Sequence, residues 1–305
     1  MSALRHAFVA LAWLLSYRLV ADYGVHLLPL SVARHLTLPE YLALVAVVVT
    51  AAGVGACFLA VDEPRRVLGL GSWRASDLGR ALLWATPVFV IASGVAIAVA
   101  LPTLLDELAH AGRQAVQQQT GEFGRSVAQA PVLVAVGWGV VLSPIAEELL
   151  FRGALWSLFQ RGAERFARLD GEPSSAALPS GVITQSPTLA ALKATRGFLV
   201  QGGAATLVSA AVFAAMHADT PGGLGIVRVM SAFGLGIGTG LVRMRSGALW
   251  APIALHMAFN LASLATTRRW VVSAALPIKY GIPTALMIAA GVCLVVLVGL
   301  RLARK

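Results

Sequence analysis

Three charged side chains lie close together in a segment that is otherwise apolar. Residues 131–159 contain Glu147, Glu148 and Arg152 and no other charged residue. A charge near the centre of a bilayer costs about 2.5 to 3.5 kcal/mol even on insertion scales. A carboxylate in such a position can act as the general base of a hydrolysis. The spacing therefore predicts a functional site inside the membrane, provided that each charge has a partner.

Helix geometry supplies one of these partners. Glu148 and Arg152 are four positions apart and share a helix face, so they are expected to form an ion pair. Glu147 points about 100° away from that face and needs a partner on another helix. The alternative is that the charged residues form an ion pair that only stabilises helix packing. This alternative leaves one carboxylate, that of Glu147, without a partner.

Two histidines in later apolar segments are the candidates to meet Glu147. His217 ends the sequence Phe-Ala-Ala-Met-His, and His256 begins the sequence His-Met-Ala-Phe-Asn. His256 and Asn260 are four positions apart, so one helix face presents both. For either histidine alone, an interhelical hydrogen bond is the better explanation. The whole polar set, spread over three spans, favours catalysis.

The composition predicts an all-α, polytopic membrane protein. The chain is 58% hydrophobic and 12% charged, with a mean hydropathy of +0.78, whereas soluble domains carry about 25% charged residues. The net charge of +10 does not indicate nucleic acid, because the basic residues lie mostly in short loops between apolar segments. Both cysteines lie in apolar runs outside any CxxC motif, which gives no support to a disulfide or a thiolate metal site.

Eight apolar segments are candidates for membrane spans, which need about 20 residues each. They cover residues 6–28, 40–61, 81–103, 131–159, 198–218, 224–243, 247–266 and 283–301. The first is the weakest, because Arg18, Asp22 and His26 interrupt it, and it could instead lie in the membrane interface. With eight spans, the side that holds both termini has fifteen basic residues and the other side has eight. This bias predicts that both termini are cytoplasmic.

The expected organisation has three parts. Residues 1–129 hold the first spans and an interfacial elbow at 62–80. Residues 130–266 form a catalytic membrane core with a loop insertion at 160–197, and residues 267–305 hold a C-terminal span. One span of the core contains four alternate glycines: Gly234, Gly236, Gly238 and Gly240. They predict close helix packing rather than a nucleotide-binding loop, because no strand precedes them.

Three ordered motifs resemble the CPBP intramembrane proteases, which include the CAAX-processing Ras converting enzyme and bacterial abortive-infection-type proteins. The motifs are Glu-Glu-x-x-x-Arg at 147–152, Phe-x-x-x-His at 213–217 and His-x-x-x-Asn at 256–260. Phe-Arg-Gly after the glutamates and Ser-Gly-Ala-Leu-Trp-Ala-Pro before the last histidine are also similar to the family. The resemblance covers about residues 130–265, and the gap between the first two motifs is long for the family.

The resemblance implies an endopeptidase that cuts a membrane-associated polypeptide near its C-terminus or a lipidated cysteine. In the preferred mechanism Glu147 activates the water. His217 holds that water and later supplies a proton, and His256 with Asn260 binds the oxyanion. The Glu148–Arg152 pair then supports the site.

A second version within the family is a metalloprotease. Glu147, His217 and His256 would bind Zn²⁺ with an open fourth position, and Glu148 would become the base. Sequence spacing does not separate the two versions, since the ligands come from different helices. The cofactor expectation is therefore either none or zinc.

Two functions from other classes stay open. An ion-coupled transporter would use the buried charges as a proton relay, and it predicts an internal repeat, of which no convincing example is evident. A non-catalytic binding or immunity protein would not need Glu147. The composition, rich in Ala, Val, Leu and Arg, is typical of a GC-rich bacterium and predicts the bacterial inner (plasma) membrane. A membrane-anchored polypeptide and the lipid bilayer are the expected partners.

Overall fold

The computed structural model describes residues 2–29, 31, 35–71, 74–111, 126–127, 129–169 and 197–267. All of the regular elements within these ranges are helices. Seven of them are α1 Ser2–Tyr23, α2 Leu38–Ala60, α3 Pro64–Val67, α4 Ala75–His110, α6 Ala204–Ala215, α7 Gly222–Ser246 and α8 Trp250–Thr267. Helix α5 is continuous through Val132–Val136, Gly137–Leu142, Ser143–Glu148, Leu149–Leu155 and Trp156–Leu169.

Five helices in the described part of the chain are long and apolar enough to cross a membrane. They are Ala3–His26, Leu38–Ala60, Ala75–His110, Val132–Arg165 and Gly222–Ser246. Two shorter apolar helices, Gln201–Ala215 and Trp250–Ala265, coincide with the fifth and seventh predicted spans. The eighth predicted span, 283–301, lies outside the described residues. The prediction of an all-α, polytopic membrane bundle is confirmed.

Helix α5 extends further than the sequence predicted. Its last segment ends at Leu169, so the first part of the predicted insertion at 160–197 is helical. The physical reason is that Gln160–Leu169 is rich in strong helix formers and contains no proline. Residues 170–196 lie outside the described ranges, and a short π-helical segment, Leu199–Gly203, leads into α6.

The predicted elbow at 62–80 contains a tight reversal around α3. Glu63 and Gly69 have φ angles of 54° and 67°. Val67 and Leu68 are fully buried in the bundle, and the carbonyl of Gly69 accepts a hydrogen bond of 2.9 Å from the amide of Leu249. This part of the elbow is therefore anchored to the beginning of α8.

The four alternate glycines allow α7 to lie against its neighbours at close range, as predicted. A Cβ atom on Gly238 would lie 2.8 Å from the side chain of Val88 on α4, and one on Gly240 would lie 2.5 Å from Thr206 on α6. Side chains at these positions would separate the helices. Helix α7 thus packs closely against α4 and α6.

Replacing Gly236 with alanine is expected to destabilise the bundle. The new Cβ would lie 2.8 Å from Ala210 Cβ, 2.9 Å from Ala210 Cα and 3.1 Å from Arg152 Nη2. Because backbone atoms cannot move aside cheaply, we expect a cost of about 1–3 kcal/mol, typical of overpacking. Thermal unfolding in detergent micelles would measure this cost. Gly94→Ala is the matched control, since its Cβ would meet nothing within 4 Å, and equal melting of both variants would contradict the packing account.

Candidate active site

The two glutamates lie on a short α-helical segment between two π-helical segments. Ser143–Glu148 is α-helical, whereas Gly137–Leu142 before it and Leu149–Leu155 after it are π-helical. Segments of π-helix occur frequently at functional sites. Each change of pitch alters which side chains share a helix face, so the directions of Glu147 and Glu148 depend on this local geometry.

Glu148 is completely buried and contacts two partners. Its Oε1 accepts a hydrogen bond of 2.8 Å from Nδ1 of His256 and lies 3.4 Å from Nη1 of Arg152. The three side chains are each exposed by 2% or less. The predicted Glu148–Arg152 ion pair is therefore present, and His256 joins it. With Nδ1–H donated to the carboxylate, Nε2 is the ring nitrogen left for chemistry.

Glu147 occupies a different environment from its neighbour. Its Oε2 lies 3.6 Å from Nε2 of His256, and its side chain is 13% exposed. Its Oε1 accepts a hydrogen bond from the hydroxyl of Ser143, one helical turn earlier. The expected partner on another helix is thus His256, whose two nitrogens face the two carboxylates.

A group of aromatic rings connects His217 with His256. Nδ1 of His217 lies 2.7 Å from the carbonyl oxygen of Phe213, and the two rings are 4.6 Å apart. Phe213 also meets the ring of His256 edge-on at 5.7 Å, and the guanidinium of Arg152 lies 4.9 Å over its face. Phe213 therefore contacts both histidine rings and the buried guanidinium of Arg152.

Asn260 lies one turn after His256 on α8, as the spacing predicted. Its Nδ2 donates a hydrogen bond of 2.8 Å to the carbonyl of Gly139. Gly139, Ser143 and Glu147 follow one another along α5, so the contacts of Asn260 and His256 join α8 to the same helix at two levels. One amide hydrogen of Asn260 is used in this bond, and the second remains for another acceptor.

A comparison with protein families finds a match for part of the chain. Residues 129–262 match the family model described as type II CAAX prenyl endopeptidase, Rce1-like. The chain carries an Rce1-like domain. No match was found among curated proteins or among solved structures. The domain is a peptide hydrolase of the CAAX-protease type, and the matched range contains all six predicted site residues.

Helix α1 lies outside the matched range and yet contacts the site of the Rce1-like domain. Nη1 of Arg18 donates a hydrogen bond of 3.2 Å to the carbonyl of Met216, next to His217 in the chain. Nε of Arg18 lies 2.7 Å from Asp22. These polar residues made the first span look weak in sequence, because spacing within one helix does not reveal a contact with another.

Ser143 is a residue of the site that lies outside the three motifs. Its hydroxyl donates a hydrogen bond to Glu147. The signal was present in the sequence, since Ser143 stands four positions before Glu147 and helical neighbours at this spacing share a face.

A buried arginine outside the three motifs supports the backbone of the site. Nε of Arg243 donates a hydrogen bond of 3.2 Å to the carbonyl of Arg152, and its Nη1 donates to the carbonyl of Gly247. Its guanidinium lies 5.3 Å from the ring of Trp156. A Cβ atom on Gly69 would approach Arg243 Nη2 to 2.5 Å. Arg243 thus joins the end of α7, the elbow and the π-helical segment that contains Arg152.

The proposed zinc ligands meet only part of what a metal site needs. Nδ1 of His217 and of His256 each contact an oxygen acceptor, an arrangement that is common around metal-bound histidines. Nevertheless, no three His, Cys, Asp or Glu side chains in the described ranges are grouped closely enough to hold a metal ion. Glu147, His217 and His256 therefore do not form a ready ligand set in this conformation.

Proposed function

We propose that this chain is an intramembrane endopeptidase that cuts membrane-associated polypeptides near their C-termini with water activated by Glu147. The difference between the two adjacent carboxylates supports this assignment. Glu148 is fully buried against Arg152 and His256, whereas the side chain of Glu147 is 13% exposed. A carboxylate that is held in an ion pair is a poorer base, so Glu147 is the better candidate to meet a water molecule.

The hydrolysis follows from this division of roles. Glu147 takes a proton from the water, and the water oxygen attacks the carbonyl carbon of the peptide bond. The C–N bond then breaks, and the leaving amine takes up a proton. We assign to His217 the relay of the proton from Glu147 to the leaving amine, so that both side chains return to their starting states. Its Nδ1 contacts the carbonyl of Phe213, so Nε2 is the nitrogen left to hold the water.

The oxyanion that forms on the peptide carbonyl needs hydrogen-bond donors. We assign this role to the second amide hydrogen of Asn260 and to His256. The contact between His256 Nδ1 and Glu148 supports this assignment, because a buried carboxylate orients an imidazole. Loss of one oxyanion donor typically lowers the rate by about 10² to 10³.

The zinc-dependent version remains the alternative mechanism. Zn²⁺ would act as a Lewis acid and lower the pKa of its bound water. The incomplete grouping of the three ligands supports the glutamate-base version, although the Nδ1 contacts of both histidines are compatible with a metal.

Metal analysis separates the two versions. We expect purified protein in detergent to contain less than stoichiometric zinc and to keep its activity after treatment with a strong chelator, because Glu147 alone generates the nucleophile. Elemental analysis and the cleavage rate before and after chelation provide the two measurements. Stoichiometric zinc, together with loss of cleavage that returns when zinc is restored, would overturn the glutamate-base mechanism.

The substrate can be sought by comparing protein C-termini in cells. Membrane and secreted proteins from a wild-type strain and a Glu147→Gln strain would be analysed by C-terminal peptide mass spectrometry. We expect a defined set of proteins to keep a longer C-terminus in the variant strain. Their sequences would show whether the cleavage site follows a prenylated cysteine or a sorting signal. Identical C-termini in both strains would contradict the proposed function.

A further inference from the structure

His217 lies in the turn that follows α6 and not in the helix itself. Met216 is the end cap of α6, and His217 is the next residue. Its backbone amide donates a hydrogen bond of 2.9 Å to the carbonyl of Ala214, and its Nδ1 lies 2.7 Å from the carbonyl oxygen of Phe213. The direction of the imidazole therefore depends on how the carbonyl groups at this helix end are held, because no further helical turn fixes them.

The carbonyl groups of residues 213–216 need partners from outside the regular helix. The ring and amide of His217 and the amide of Ala218 satisfy three of them, those of Phe213, Ala214 and Ala215. The fourth belongs to Met216, and it accepts a hydrogen bond of 3.2 Å from Nη1 of Arg18 on α1. Arg18 thus completes the cap of α6 from a position 198 residues earlier in the chain.

The guanidinium of Arg18 is itself fixed in place. Its Nε lies 2.7 Å from Oδ2 of Asp22, one turn further along α1. A cation at the C-terminal end of a helix also interacts favourably with the helix dipole, so Arg18 stabilises the end of α6 beside Met216. The side chains of Arg18 and Asp22 are 41% and 34% exposed, and replacing them therefore leaves the packed core intact.

The other end of the turn is anchored to α7. Nη1 of Arg228 donates hydrogen bonds of 2.7 Å to Oδ1 of Asp219 and of 3.2 Å to the hydroxyl of Thr220. The short segment that contains His217 is therefore tied to α1 before the histidine and to α7 after it. Each tether restricts the conformations of the segment, so loss of the Arg18 contact would free the backbone on one side of His217.

We propose that Arg18 is a positioning residue of the active site, which acts through the carbonyl of Met216 to hold His217 in the orientation that proton transfer requires. This inference rests on the proposed function, in which His217 relays the proton to the leaving amine. It makes α1, which lies outside the matched residues 129–262, a part of the catalytic apparatus. An arginine that only anchored α1 to the bundle would affect every reaction of the protein equally.

The test compares two substrates that differ in their need for that proton. One is a prenylated peptide, and the other carries a nitrophenyl ester in place of the amide that the wild type cleaves in this peptide. The amine of a peptide needs a proton in order to leave, whereas nitrophenolate leaves as a stable anion. The ratio of kcat for the peptide to kcat for the ester therefore reports the proton transfer, and general damage to the fold lowers both rates together.

The variants are Arg18→Met and Arg18→Met combined with Asp22→Asn, each as purified protein in lipid vesicles. The double variant also removes the carboxylate that Arg18→Met leaves without its cation. For both variants we expect the ratio to fall about tenfold with KM unchanged, since a small misplacement of a reacting group costs up to about 10²-fold in rate. A wild-type ratio in either variant would overturn the inference.

Arg5→Met is the matched control for both variants. Arg5 is exposed on the same helix and has no contact with the site motifs among the contacts described, so this variant should keep the wild-type ratio. A fall of the ratio in Arg5→Met as large as that in Arg18→Met would show a general effect of removing a cation from α1, and it would also overturn the inference.

Two further variants in the same assay distinguish this inference from the proposed function. If His217→Gln lowers the ratio while both Arg18 variants keep it, the inference fails and the proposed function stands. If His217→Gln keeps the wild-type ratio, His217 does not relay the proton and the inference is overturned. If Glu147→Gln cleaves the peptide as fast as the wild type, the proposed function fails and the inference falls with it.

Discussion

Replacing Glu147 with glutamine is expected to lower the rate of peptide cleavage by about 10³, within the range of 10² to 10⁴ that a general base contributes. The amide of glutamine keeps the size of the side chain and can still accept the hydrogen bond from Ser143. It cannot take a proton from water. The bundle should therefore fold normally, and the initial rate in lipid vesicles should report the loss of the base alone.

Glu164→Gln is the matched control for this experiment. Glu164 lies on the same helix, where it accepts a hydrogen bond of 2.9 Å from Gln160, and it has no contact with the site motifs among the contacts described. This variant should cleave at the wild-type rate. If Glu147→Gln kept more than about a tenth of the wild-type activity, the assignment would be contradicted. The loss of rate would then be smaller than the factor of about 10² that a general base contributes at the least.

Replacing Arg152 with methionine is expected to cause the largest loss of stability. Arg152 and Glu148 are both completely buried at 3.4 Å, and no described contact gives the guanidinium a conventional hydrogen bond. The variant leaves the charge of Glu148 without its cation. Breaking a buried pair in this way costs about 3–5 kcal/mol, which thermal unfolding and the yield of folded protein would both detect.

A double variant tests whether the charge is the cause. Glu148→Gln combined with Arg152→Met removes both charges, so it should be more stable than Arg152→Met alone. His256 can still donate to the glutamine oxygen. If the double variant is the less stable of the two, lost packing of Arg152 against Phe213 rather than the uncompensated charge explains the effect.

The sequence was sufficient to predict features that depend on spacing within one helix. The apolar segments predicted the bundle, and the i,i+4 rule predicted the pair of Glu148 and Arg152. The alternate glycines of α7 predicted close packing because small residues permit it. The three motifs also located the Rce1-like domain, since the matched range nearly coincides with the predicted one.

Features that depend on contact between distant helices were not readable from the sequence. No spacing rule shows that the two nitrogens of His256 face Glu148 and Glu147. The π-helical segments around the glutamates have no simple sequence signature, and they change the faces that a regular helix would give. Arg18 looked like a defect of the first span because the carbonyl of Met216, to which it donates, lies more than a hundred residues away.

Hydrolysis of a peptide by the purified protein tests the central claim most directly. Wild-type protein and Glu147→Gln in lipid vesicles would each be incubated with a prenylated and an unmodified peptide in water labelled with ¹⁸O. Mass spectrometry would then measure the masses of the products. We expect the wild type to release two fragments, with one labelled oxygen in the new C-terminal carboxylate, and the variant to leave the peptides intact. The absence of cleavage by the wild type, or equal cleavage by both proteins, would contradict a glutamate-driven protease.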